Sequence, residues 1–195
     1  AFIWVPWIAL TALAAWFGMN DIADAKASFA AQAAIFKRKH NWLMCVLYLG
    51  TFGSFIGYAA GFPLLIKSQF PNINPLAYAW LGPLVGAVIR PFGGWLADKL
   101  GGARVTLWNF IVMAIAVVGV TVFLPSGSNE GQFGGFFVCF LVLFLTTGIG
   151  NGSTFRMIPV IFLTEAMRGV DKNNAAAVAQ ANKEGNTLGA ATLGF

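Results

Sequence analysis

The sequence predicts an all-α polytopic membrane protein, and three observations carry that class. Of 195 residues, 58% are hydrophobic and only 10% are charged, against roughly 25% charged in soluble domains. Five apolar stretches are each long enough to cross a bilayer as a helix, which takes about 20 residues. The cationic residues gather in alternate connections between those stretches. A β-barrel would instead show segments of about ten residues alternating apolar and polar, and the sequence has none.

The first span is predicted over 1–18 and opens "AFIWVPWIAL". It has no basic start and no small-residue cleavage site, so it is not a signal peptide. The chain starts without Met inside this apolar segment and ends inside another, "NTLGAATLGF", so it reads as the middle piece of a longer protein. Residues 19–41 form a longer connection containing "DIADAKASFAAQAAIFKRKH". It reads as an amphipathic surface helix with Asp21 as N-cap, Phe29, Ala33 and Phe36 as interfacial contacts, and a basic end facing anionic lipid. Further spans are predicted over 42–66, 76–97, 105–124 and 135–163, and a sixth begins near 186.

The connections set the orientation. Loop 19–41 holds Lys26, Lys37, Arg38 and Lys39, loop 98–104 holds Lys99 and Arg104, and loop 164–185 holds Arg168, Lys172 and Lys183. The other two, 67–75 and 125–134, are short Pro-, Gly- and Asn-containing turns whose single basic residue is Lys67. Nine cations against one, alternating along the chain, place the three basic loops in the cytoplasm. The same placement explains the net charge of +5 as a topology signal with no nucleic-acid partner.

Enzyme chemistry has little to stand on. Cys45 and Cys139 fall inside apolar runs and read as buried thiols, and His40, the single histidine, reads as a surface residue of a basic loop. There is no Cys/His cluster, no nucleophile elbow and no P-loop, so no metal or cofactor is expected.

Two of the twelve Lys and Arg residues lie within spans, Arg90 and Arg156. A charge there costs at least about 2.5–3.5 kcal/mol on insertion scales. Arg90 lies about 10 Å deep, counting roughly 1.5 Å per residue from Ala97. Pro91, Gly93 and Gly94 follow it and mark a bent helix face that packs against protein. No Asp or Glu lies in any predicted span, so an anion is the natural counter-charge. The planar guanidinium fork suits a trigonal oxyanion or a carboxylate.

Tyr48 and Phe52 stand at i and i+4 at about the same depth and share a helix face, a spacing that serves plain packing equally well. In "TTGIGNGSTFRMIP", Thr146 to Pro159, Gly148, Gly150 and Gly152 admit either a neighbouring helix or a substrate, with Asn151, Ser153 and Thr154 as polar groups. Arg156, near the cytoplasmic end, reaches the interface as readily as the interior.

"GGWLADKLGGARV", Gly93 to Val105, resembles the cytoplasmic signature loop of the major facilitator superfamily through Gly94, Asp98, Lys99, Gly101 and Arg104. Gly102 and Ala103 delay its last basic residue. "WFGMNDIADAKAS", "LYLGTFGSFIGYAAGFP" and "GIGNGSTFRMIPVIF" resemble the nitrate/nitrite porters of the NarK/NarU type along nearly the whole chain.

The resemblance implies a major facilitator fold with 1–18 as the sixth helix, closing the N-terminal bundle. Residues 19–41 would be the inter-bundle linker, and 42–195 the C-terminal bundle from the seventh helix to the start of the eleventh. It implies nitrate/nitrite exchange by alternating access in a bacterial inner membrane. Nitrate would be held by Arg90, Tyr48 and Phe52, with Asn151 and Gly150 alongside, and the signature loop would act as a gate. By the same resemblance a second arginine would lie in an N-terminal half outside this chain. The protein is expected to work as a monomer in lipid. A facilitator of another small anion such as a carboxylate, with or without proton coupling, is the other reading.

Overall fold

The computed structural model describes residues 2–19, 29–127, 130–171 and 173–194. Among them the regular structure is helical, with no strand. A 3₁₀ turn, Phe2–Trp4, leads into α1, Val5–Gly18, and none of its residues is buried. The stretch 20–28, with Asp21 and Lys26, lies outside the described residues, as does Lys172.

The rest of the expected surface helix is two short pieces, α2 (Phe29–Ala33) and a 3₁₀ turn (Ala34–Lys37). Phe29 and Phe36 are exposed as expected, but Ile35 is the anchor. It is buried among Met44, Ile158, Phe162 and Leu188.

The second span is a continuous rod, α3 (Lys39–Tyr48), a π-helical turn (Leu49–Gly53) and α4 (Ser54–Gln69). The third is divided: α5 (Pro75–Tyr78), α6 (Leu81–Val88) and α7 (Arg90–Leu100). The break between α6 and α7 at Ile89 follows from Pro91, which has no N–H for the Ala87 carbonyl and whose ring crowds the preceding turn. Backbone bonds from Ile89 to Val85 and from Gly93 to Ile89 carry the chain across it.

α8 (Gly102–Phe123) and α9 (Phe133–Ala166) are long apolar rods, and with 39–69 they are long and apolar enough to cross a membrane. α9, with 34 residues, is about 50 Å long at roughly 1.5 Å per residue. It must tilt or project beyond a hydrocarbon layer of about 30 Å.

Three expected boundaries move. α10 runs Ala175–Gly194, beginning well before the expected position near 186. Asn174 accepts from the Ala177 N–H and caps a run of alanines, the strongest helix former. Hydropathy ended the span at Lys183 and Glu184, but the helix continues past them. Loop 164–185 therefore contracts to the residues between Ala166 and Ala175. Loop 98–104 contracts to Gly101 alone, whose φ of 88° turns α7 into α8. That angle disfavours any side chain. Gly101→Ala is expected to cost about 1–2 kcal/mol, read as a lowered melting temperature.

α9 is the hub, contacting α6, α7, α8 and α10 and the rod at α3, its π-turn and α4. At one end Phe62 and Ile66 of α4, Val120 of α8, and Phe136 and Phe140 of α9 form an aromatic core, with Phe62 and Phe140 rings 4.6 Å apart. At the other end Met44 meets Ile158, Phe162 and Leu188. Between them α6 and α7 lie directly on α9, backbone to backbone. A Cβ on Gly148 would strike the Gly86 carbonyl, and one on Gly93 the Ile149 carbonyl.

Candidate functional site

Arg90 is the first residue of α7, and its backbone is held from below. A Cβ on Gly152 would strike the Arg90 carbonyl, so only glycine lets α9 come this close. The side chain reaches the rod 39–69. Its Cζ stands 5.3 Å from the Phe52 ring centroid and 4.8 Å from that of Phe55. Tyr48 stacks on Phe52 at 5.3 Å and 28°, and Phe52 lies nearly parallel to Phe55 at 6.3 Å and 9°.

Arg90 Nε is buried without a hydrogen-bond partner, and no described acid pairs with the guanidinium. Two ring faces return about 0.5–2 kcal/mol each, short of what a charge loses on leaving water. A half-buried cation with flat walls and no counter-ion has the chemistry of an anion site. Beside it a cavity of about 370 Å³ exposes Tyr48 and Phe52 next to Phe155 and Thr192; Arg90 is outside its lining.

Of the residues expected at the site, Arg90, Tyr48 and Phe52 come together. Gly150 faces elsewhere: a Cβ there would sit 2.5 Å from Asn109 Nδ2 and 2.6 Å from Thr51 Cγ2, so this glycine serves helix packing. Asn151 is 4% exposed, and no hydrogen bond joins its side chain to the described residues. Phe55 was not anticipated, although it is closer to Arg90 than Phe52 is. Its signal was the i, i+3 step from Phe52, which keeps it on the same helix face.

The signature residues form a second locus. Arg156 Nε donates to both Asp98 oxygens at 2.8 and 3.1 Å, joining the end of α7 to α9. Ser153 pairs with Thr106 at 3.0 Å and donates to the Gly102 carbonyl at 3.2 Å, fixing the start of α8 to α9. Lys99 Nζ lies 4.4 Å from the Trp95 ring centroid. Gly94 has room, with its nearest neighbour 3.7 Å from an added Cβ, and Arg104 is exposed. Arg156 thus finds an acid 58 residues away that its own span lacks.

A third cluster lies where α3 begins. Arg38 meets Glu165 at 3.4 Å and Glu184 at 3.1 Å, and His40 Nδ1 faces Glu165 Oε2 at 3.2 Å. His40 is therefore helical and stands beside Glu165, with no hydrogen bond between the two facing atoms, where a plain loop position was expected. The two acids sit near the end of α9 and midway along α10, on helices that outrun the predicted spans.

No protein-family model matches the chain. Over all 195 residues it is 52% identical to the nitrate/nitrite transporter NarU of Salmonella typhimurium and 51% identical to NarU of Escherichia coli. It is 40% identical, over 98% of its length, to the probable nitrate/nitrite antiporter NarK2 of Thermus thermophilus. Along its whole length the chain is thus similar to nitrate/nitrite transporters of the NarU/NarK type. It spans 42% of each NarU and 44% of NarK2. Its long apolar rods make the chain a multi-pass membrane protein. Within it, the unpaired Arg90 and the paired Arg156 occupy two separate loci on the same pair of helices, α7 and α9.

Proposed function

We propose that the chain is the C-terminal half of a nitrate/nitrite transporter of a bacterial inner membrane that exchanges the two ions by alternating access. Residues 1–18 close the N-terminal bundle, 19–41 link the bundles, and 42–195 form the C-terminal bundle. The basic connections face the cytoplasm. The two halves rock about a site at mid-membrane, as alternating access requires. The transporter works as a monomer in lipid, without cofactor or metal, and it moves its ions unchanged, so it is not an enzyme.

The observation that carries this reading is Arg90, unpaired and flanked by Phe52 and Phe55. The guanidinium donates a fork of hydrogen bonds to the flat anion while the ring faces wall it and Tyr48 supplies a hydroxyl. A counter-arginine in the other half completes the clamp. Asp98 with Arg156 locks α7 to α9 at the gate. Being half-exposed, that pair adds little to stability.

The test is counterflow in vesicles holding the complete protein. Internal nitrite should drive uptake of labelled nitrate, and formate or acetate in its place should not. Equal drive by a carboxylate would move the substrate class to carboxylates. Phe55→Leu removes the ring nearest Arg90 and is expected to raise the nitrate KM about five- to tenfold, the scale of one ring contact with a desolvated cation.

A further inference from the structure

The rod 39–69 bears the three aromatic residues of the site, and it is not a uniform helix. Its π-helical turn, Leu49–Gly53, lies between Tyr48, which ends α3, and Phe55 in the first turn of α4. A π-turn takes one residue more per turn than an α-helix, and such turns concentrate at functional sites. Inside a membrane no water steadies such an irregular turn, so its geometry has to be held by the protein itself.

Thr51 stands in the middle of the turn. Its Oγ1 is 3.2 Å from both the Leu47 and the Tyr48 carbonyl, and one hydroxyl proton serves the pair. The residue is fully buried. Its γ-methyl faces Gly150 of α9, with the Asn109 side chain of α8 alongside, so neighbouring helices fix its orientation.

Local bonds of this kind are common in helices. Thr146, Thr147 and Thr154 make them too, but within the unbroken α9. Among the described residues, only at Thr51 does such a bond fall on a π-turn. If the turn relaxed to α geometry, one residue of register would shift, about 100° of rotation at 3.6 residues per turn. Tyr48 would leave Phe52, or Phe52 and Phe55 would leave Arg90.

We propose that Thr51 is a positioning residue whose hydroxyl holds this π-turn open, so that Tyr48 stacks on Phe52 while Phe52 and Phe55 flank Arg90. The role rests on the nitrate-site reading above. Thr51 touches no anion and acts through the three rings.

The experiment measures nitrate KM and kcat of the complete transporter in vesicles for Thr51→Val, Thr51→Ser and Thr51→Ala, with Arg90→Ala as the control that empties the site. Valine keeps the shape and loses the hydroxyl, and is expected to raise KM roughly tenfold, the scale of one lost buried hydrogen bond, with kcat within about twofold. Serine keeps the hydroxyl and should stay within about twofold of the parent on both constants. A valine variant with the parent's KM, or a serine variant that fails as valine does, overturns the role. If valine does not accumulate in the membrane, alanine replaces it in the comparison, and an alanine variant with the parent's KM overturns the role equally. Nitrate uptake that Arg90→Ala abolishes and Thr51→Val leaves untouched removes only the positioning role. A parent without nitrate uptake removes the site reading with it.

Discussion

Arg90→Leu is expected to leave a transporter that folds as well as the parent, or better, and takes up no measurable nitrate. The two halves of that expectation come from one fact. Arg90 has no acid partner among the described residues, so it bears an insertion cost of at least about 2.5–3.5 kcal/mol that its two ring contacts offset in part. Leucine removes the cost and keeps the bulk. The anion, however, loses its fork of charge-assisted hydrogen bonds. Truncating one partner of a buried charge pair costs about 2–5 kcal/mol, or roughly 30- to several-thousand-fold in affinity. Arg90→Lys should fall nearly as far, because an ammonium group carries the charge without the fork and stacks less well beside flat rings. Uptake by membrane vesicles gives the activity and thermal unfolding in detergent gives the stability. A lysine variant with the parent's KM would remove Arg90 from the site, and a leucine variant that unfolds early would make it a structural residue.

The pieces of this site were unevenly legible. Tyr48 and Phe52 could be paired from their spacing, and Arg90 singled out, because both signals are local: a four-residue step and a charge in an apolar run. That the two would meet needed the fold, since the rod 39–69 and α7 are brought together by packing on α9. Pro91 announced a bend, and the break at Ile89 is its consequence. The π-turn left no mark in the sequence, since glycine, threonine and phenylalanine at 50–52 suit an α-helix equally. The reach of Phe55 to Arg90 was hidden with it. The Asp98–Arg156 pair and the Arg38–Glu165–Glu184 cluster join positions far apart in the chain, so charge counting showed their residues but not their partners. The alanine run that starts α10 was hidden differently. Hydropathy measures what enters hydrocarbon, and a helix can run past that boundary into water.

Gly152→Ala is expected to disable the protein from the opposite direction, through the backbone that carries Arg90. A Cβ on Gly152 would run into the Arg90 carbonyl and come within 2.9 Å of the Gly94 nitrogen. Neither is the end of a flexible side chain, so the clash can be relieved only by separating α7 from α9. Overpacking a well-filled core typically costs about 1–3 kcal/mol, and here it falls where two backbones touch. The glycine contacts on either side, Gly148 with Gly86 and Gly93 with Ile149, would be strained by the same movement. Separation also carries Arg90 away from Phe52 and Phe55, and a displacement of about 1 Å at such a site costs on the order of a hundredfold in rate. The variant should therefore melt earlier and transport poorly at once, unlike Arg90→Leu, which separates the two. Gly94→Ala is the matched control. It lies on the facing helix, adds the same methyl group, and meets nothing closer than the Gly152 carbonyl at 3.7 Å, an ordinary contact. Its melting temperature should stay near the parent's. Equal destabilisation by both alanines would mean that helix propensity or lipid contact governs this face, and that the close approach of α7 to α9 is not what holds Arg90 in place.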